Sequence, residues 1–426
     1  MPTSAAGRVQ RLAAHLEPGR ASSPSATALL LAPSSARRSG PHAAIDLRTL
    51  PSTTEQTVVR DGGYFPVIAR WPEQGSERLV VVFRGGAGHI GIGGRMEAAV
   101  SDNGGRAWAT PTVVVDSSWD DRNPALGVCA DGSLLMVYLQ QTNYSASGEH
   151  QGREHESELT NMRSIRSADG VSWAGDAELV SPLIKPLTGS VFGKIRSGPG
   201  GVLYMPCYSD LPVTDAMVAA SAGAAEDDDT DPGFHDPPQP TFLLQSTDSG
   251  ASWGDPILLG DRMNEGDVLM LSDTEWLFAA RGLDEATYTC KSYDGGKSWQ
   301  GLQQVTDDRQ RGEARGEHPP DLTLLGDGSI LMLFGRRYPP CGVQGVLSSD
   351  RGESWSETRV SLTDDLPGDD TGYPSTVRLD DGTLVTVYYS AGTSDDPHNM
   401  GEAKDAYCMS VRYSEAELLE AFRATQ

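Results

Sequence analysis

One eight-residue phrase, Ser-x-Asp-x-Gly-x-[Ser/Thr]-Trp, recurs along this chain in variants that close with five of its eight tryptophans. Three copies are complete, from Ser246 to Trp253, Ser292 to Trp299 and Ser348 to Trp355. Two are degenerate: Ser101 to Trp108 carries Asn103 at the Asp position, and Ser167 to Trp173 is one residue short. Each reads as a hairpin turn in which Asp or Asn bonds nearby backbone N–H groups, Gly supplies a positive φ and Trp plugs into apolar space. The phrase is a structural staple, and its repetition predicts units stacked side by side.

The copies begin at 101, 167, 246, 292 and 348, so successive starts are 66, 79, 46 and 56 residues apart. The shortest interval matches a four-stranded propeller blade of ~40–50 residues, and the longer ones hold insertions. A second signal repeats, a turn feeding an apolar strand: Asp131-Gly to Tyr138, Asp327-Gly to Phe334 and Asp381-Gly to Tyr388. A proline stands seven residues before each Asp, at Pro124, Pro320 and Pro374, and the same register places Pro66 seven before Glu73. Four such strand starts, with two more near Lys194 and Glu265, predict an all-β, six-bladed β-propeller of four-stranded antiparallel blades. The sixth blade, about 370 to 414, lacks a Trp phrase and needs a strand from about 45 to 60 to cover its edge. Ser414 to Thr425 reads as a terminal helix.

Residues 1–44 are rich in Ala, Ser, Pro and Arg, with Glu17 the one acid, and read as a poorly ordered or targeting segment ahead of a propeller spanning 45–426. Its arginines suit an organellar transit peptide; the apolar run Ala28 to Ala32 is short for a secretory signal. The net charge of −25 argues against nucleic acid or an anionic membrane surface as partner, since both reward basic patches. No run approaches the ~18 apolar residues of a transmembrane helix. Five scattered cysteines show neither metal-ligand spacing nor an even disulfide set, and read as buried free thiols. No cofactor or metal is expected. The acidic stretch Glu226 to Asp231 lacks the Gly-punctuated spacing of a calcium loop and reads as a solvated insertion. Asn143-Tyr-Ser145 is a glycosylation sequon, and His150, Glu154, His155 and Glu156 read as a polar surface loop.

In a propeller the first strand of each blade lines the central channel, so residues beside the strand-start prolines converge. These are Tyr64-Phe65, Arg122-Asn123, His318-Pro319 and Gly372-Tyr373, with Asn264-Glu265 from the fourth blade. So polar a ring points to a saccharide pocket.

From about 60 to 414 the chain resembles the sialidase superfamily, whose propellers carry this phrase, the Asp-box, although other activities share it. The resemblance implies a tyrosine nucleophile activated by glutamate, an aspartate acid/base and three arginines that clamp the substrate carboxylate. Gly372-Tyr373-Pro374-Ser375 is similar to the nucleophile segment, and Asn264-Glu265 with Arg281 to the paired glutamate and arginine of the middle blade. Arg336 and Arg337 fall in the region of another clamp arginine, Arg84 resembles the one ending the first blade's second strand, and Asn123-Pro124 matches the second blade. A phenol suits such a substrate, because a carboxylate nucleophile would be repelled by the carboxylate on the anomeric carbon.

Two positions depart from the pattern. Where the family has Arg-Ile-Pro this chain has Tyr64-Phe65-Pro66, and where the acid/base aspartate is expected stands His89, in the loop Gly85-Gly-Ala-Gly-His89. His89 and Asp121 are both candidates for the acid/base, and Arg122 and His318 join the arginines and Asn123 as candidate substrate-binding residues. Three functions follow. The first is an exo-glycosidase acting on a terminal acidic sugar, with Tyr373 as nucleophile and Glu265 as its base. The second is a polysaccharide lyase in which His89 and Tyr373 move protons, and the third a non-catalytic carbohydrate-binding propeller.

Overall fold

The computed structural model describes residues 44–71, 75–151, 160–180, 189–209, 214–221, 240–260, 263–306, 316–393 and 404–426. The segment 1–43, the acidic stretch 226–231 and Glu154 to Glu156 lie outside the described residues.

Six small sheets follow one another around a ring, each built as consecutive antiparallel strands. Blade 1 comprises Tyr64–Arg70, Leu79–Gly85, Arg95–Ser101 and Thr112–Val115; blade 2 comprises Asp120–Val128, Leu134–Gln141, Thr160–Ser167 and Trp173–Glu178. In blade 3 a broken inner strand, Gly189–Val191 and Arg196–Ser197, precedes Leu203–Ser209, Thr241–Ser246 and Gly254–Gly260. Blade 4 is Met263–Met270, Trp276–Gly282, Thr287–Ser292 and Gln300–Gln304, and blade 5 is Glu317–Leu324, Ile330–Arg336, Cys341–Ser348 and Arg359–Leu366. Blade 6 takes Thr371–Arg378, Thr383–Ser390 and Tyr407–Ser414 from the end of the chain and Thr54–Arg60 from near its start. That pairing covers the edge and closes the ring. A second amino-terminal strand, Ala44–Asp46, runs parallel along the outer edge of blade 5. The helix Glu415–Arg423 follows directly, capped by the Ser414 side chain.

The second strand of each blade is buried on both faces, which is why its sequence is almost continuously apolar. In blade 1, Val80 and Val82 pack toward Leu134 and Met136 of blade 2, while Val81 and Phe83 pack toward Val385 and Val387 of blade 6. Equivalent apolar layers fill the other interfaces, with Met205 and Phe242 between blades 2 and 3, Val268 and Phe278 between 3 and 4, Met332 and Phe334 between 4 and 5, and Leu333 and Leu384 between 5 and 6. The five cysteines are buried and none is in a disulfide.

The Trp phrases join third to fourth strands, as their turn chemistry requires. Ser246, Ser292 and Ser348 accept hydrogen bonds at 2.7–2.9 Å from the N–H of Gly250, Gly296 and Gly352, and Asp248, Asp294 and Asp350 accept the N–H of Ser252, Ser298 and Ser354 at 2.9 Å. Strand direction alternates within a blade, so these hairpins sit at the end of the ring opposite the starts of the inner strands. They brace the structure at a distance from the mouth.

Candidate active site

The mouth is shaped by one distortion repeated in five blades. Tyr64 pairs with Arg84 but Val67 with Val82, so two inner-strand residues, Phe65 and Pro66, face one on the neighbour, Phe83. The same extra residue appears between Arg122 and Ala125, Met263 and Gly266, Glu317 and Pro320, and Gly372 and Ser375. Each is a β-bulge, a device that bends a strand and re-aims its side chains. Phe65, Asn123 and Tyr373 occupy it with φ of 53°, 49° and 50°, a left-handed conformation that non-glycine residues adopt at a cost and that clusters at functional sites.

The bulges bring distant residues together. The Tyr373 hydroxyl from blade 6 donates a hydrogen bond to Oε1 of Glu265 from blade 4. Arg281, at the end of the strand beside Glu265, places Nη1 3.3 Å from Oε2 of that carboxylate and Nη2 against Glu285, whose other oxygen lies 2.6 Å from Nε2 of His318. Burial and the Arg281 charge push the His318 imidazole down to about 4, so it is neutral at pH 7. Glu285 is held well below the usual carboxylate range, its burial outweighed by His318 and Arg281. Arg281 is thereby fixed between two carboxylates.

On the other side of Tyr373 the Arg337 guanidinium carbon lies 5.3 Å from the ring centroid, with Nε donating to the Thr371 carbonyl at 3.0 Å and Nη2 to the Tyr389 hydroxyl at 3.0 Å. Burial and the Glu265 charge raise the Tyr373 phenol well above its ordinary value, against the opposing pull of Arg337 and Arg281. The resting phenol is protonated and requires a base. The Tyr389 hydroxyl in turn donates to Asp370 at 2.5 Å, and Asp370 lies 2.9 and 3.0 Å from Nδ1 of His89. Aromatic rings complete the wall. Phe192 stands edge-on to Tyr373 at 4.6 Å, and Phe65 lies 5.0 Å from Tyr373 and 4.9 Å from His89.

Other candidate residues have different settings. Arg84 is fully buried, bonding Asp120 through Nε at 3.0 Å and Nη2 at 2.7 Å, and the carbonyls of Ala87 and Gly91 at 3.1 and 3.0 Å. Arg122 reaches Gln141 at 2.7 Å and lies over the Phe65 ring at 5.7 Å; Asn123 donates to Ser190 at 2.8 Å. Asp121 accepts from Ser117 N, Ser117 Oγ and Gln140 Nε2 at 2.8–3.0 Å, a set separate from the Tyr373 cluster. Burial pushes its carboxyl up, partly offset by those bonds. Arg336 stacks over Tyr338 at 4.5 Å. The structure thus gathers Tyr373, Glu265, Arg281, Arg337, His318 and His89, with Arg122 and Asn123 nearby. It adds four residues that sequence reasoning missed, Asp370, Tyr389, Glu285 and Phe192. Asn143 of the sequon is 1% exposed, with its amide 3.1 Å from His150.

Six blades, five of them carrying Asp-box hairpins, around a mouth of tyrosine, glutamate and arginine define a sialidase-like propeller. The profile of the BNR repeat-like domain matches residues 77–388, and the chain belongs to that family. No curated protein matches it. Among solved structures, a Dyadobacter fermentans protein of unknown function is similar at a TM-score of 0.62 and 18% identity, covering 86% of this chain and 100% of its own. Trypanosoma rangeli sialidase in complex with 2,3-difluoro-KDN superposes at 0.61 with 13% identity, over 88% of this chain and 60% of that one. The Streptococcus pneumoniae sialidase NanB gives 0.58 and 11%, over 89% and 71%. At such identities the likeness bears on the fold alone.

Proposed function

We propose that this chain is a retaining exo-glycosidase of sialidase type that acts on a terminal acidic sugar of a glycan. The observation that carries the reading is the Tyr373 hydroxyl donating to Glu265 with Arg281 and Arg337 flanking the same pair. In the first step the Tyr373 oxygen bonds to the anomeric carbon, its proton passes to Glu265 and the aglycone leaves; water then displaces the tyrosine, which recovers its proton. Arg281 and Arg337 stabilise the developing phenolate and pair with the sugar carboxylate. Tyr64 stands where a third arginine is expected, so carboxylate binding is weaker by about 2–3 kcal/mol than with a full clamp. That difference shifts preference among acidic sugars.

The test is product analysis on sialosides, 2-keto-3-deoxy sugar conjugates and uronate polymers. The expected result is release of a free, saturated acidic sugar. An unsaturated uronate would show elimination instead, and binding without turnover would show a carbohydrate-binding propeller.

A further inference from the structure

Glycosidic cleavage on this scaffold needs a proton donor for the leaving oxygen, which the Tyr373–Glu265 pair cannot supply because Glu265 is receiving a proton in the same step. We infer that His89 is that acid/base and that Asp370, absent from the sequence reading, is the residue that positions it. The inference rests on the glycosidase reading above.

The geometry supports each part. Asp370 engages Nδ1 of His89 at 2.9 Å, so that nitrogen carries the proton of the neutral ring and Nε2 is left for substrate. The His89 side chain is 24% exposed, whereas the rings beneath it are almost wholly buried, and it contacts Phe65, which packs on Tyr373. Asp370 is itself anchored, accepting the Tyr389 hydroxyl at 2.5 Å while its carbonyl accepts the Ala391 N–H at 2.9 Å.

The glycine-rich loop is also fixed. Arg84 bonds the carbonyls of Ala87 and Gly91, and its partner Asp120 accepts the Gly91 N–H at 3.3 Å and the Tyr144 hydroxyl at 2.6 Å. The buried Arg84–Asp120 pair is the pillar that holds the loop carrying His89. Asp121, the other acid/base candidate, has both oxygens engaged by Ser117 and Gln140.

In the first step the His89 imidazolium gives its Nε2 proton to the glycosidic oxygen as the bond to the anomeric carbon breaks. In the second, neutral His89 takes a proton from the attacking water. The charged and titratable groups around it are Asp370, Arg122 and Arg337, with the Tyr64 ring at 6.3 Å and the Tyr389 hydroxyl on Asp370. Burial and the two arginines lower the imidazole, and Asp370 raises it. Removal of the Asp370 charge therefore moves the titration to lower pH.

The test compares two glycosides of the same acidic sugar, one with a sugar aglycone and one with a 4-nitrophenyl aglycone that leaves without protonation. His89→Ala should lose at least about a hundredfold in kcat/KM on the first and less than about tenfold on the second. Asp370→Asn should move the alkaline limb of kcat/KM down by about one pH unit. Equal losses on both glycosides with an unmoved limb, while Tyr373→Phe remains inactive, would overturn the dyad and leave the glycosidase reading intact. If Tyr373→Phe stays active, the glycosidase reading falls and this inference with it.

Discussion

Replacing Tyr373 with phenylalanine is expected to lower kcat by at least about a thousandfold, roughly 4 kcal/mol of transition-state stabilisation. The substitution removes one oxygen from a ring that Phe65, Phe192 and Tyr389 surround at 4.6–5.7 Å, so the aromatic packing survives. Glu265 loses a donor but keeps Arg281 at 3.3 Å. The folding cost is therefore about 1 kcal/mol. Binding of an unreactive acidic sugar should stay within a few-fold of wild type, because the proposed carboxylate contacts are those of Arg281 and Arg337. Steady-state rates on the substrate found in the product screen, with calorimetric affinities for an unreactive analogue, check both halves. A variant that retains more than a tenth of the wild-type rate would remove Tyr373 from the chemistry.

The second large effect is expected one residue earlier. Gly372 has φ of 104°, and a Cβ there would lie 2.6 Å from the Cα of Gly335 on the adjacent blade. A Cβ on Gly335 would likewise meet the Gly372 Cα and the His318 carbonyl at 2.9 Å. These two glycines let blades 5 and 6 approach closely enough for Arg337 to reach the Thr371 carbonyl. Gly372→Ala should cost about 3 kcal/mol of stability, the sum of backbone strain and a forced shift. The folded fraction should also turn over at least tenfold more slowly, because the proposed nucleophile is the next residue along the chain. Urea unfolding and kcat on the same sample check this. Unchanged stability would mean that blades 5 and 6 do not approach this closely.

Much of the architecture was legible because the Trp phrases and Asp-Gly turns depend on local backbone chemistry, and local chemistry is written in consecutive residues. The register they set put Tyr373 and Glu265 at comparable strand starts, and the edge argument placed the closing strand before residue 60. Register failed where a blade departs from its neighbours. Pro320, seven before Asp327, lies one residue past the bulge, which holds His318 and Pro319, because the blade 5 strand continues one residue longer to its turn. In blade 3 the inner strand breaks at Gly193, φ 95°, and Gly193–Lys194 pairs with the inner strand of blade 2, so no proline marked the place from which Phe192 enters.

The polar partners were harder to read because they come from loops and from alternation. Tyr388 and Tyr389 are adjacent, yet Tyr388 packs toward blade 5 and Tyr389 toward blade 1, and only the second reaches the site. Asp120 and Asp121 divide in the same way. Asp120 faces Arg84 and Arg122, while Asp121 faces Ser117 and Gln140. Strand alternation through blade 2 was the available signal for that division. Nothing in the sequence marks Asp370, since Tyr389 meets it across the first hairpin of blade 6 and His89 meets it only by closure of the ring.

A tyrosine nucleophile implies a covalent bond between Tyr373 and the sugar. The most direct measurement is peptide mass mapping after brief incubation with a 2,3-difluoro derivative of the preferred acidic sugar. Fluoride leaves as the tyrosine oxygen attacks, and the second fluorine slows hydrolysis of the intermediate. A glycosyl mass increment is expected on the peptide containing Tyr373 in the wild type and none in Tyr373→Phe. An adduct on another residue, or turnover of the parent substrate with no adduct at all, would contradict it.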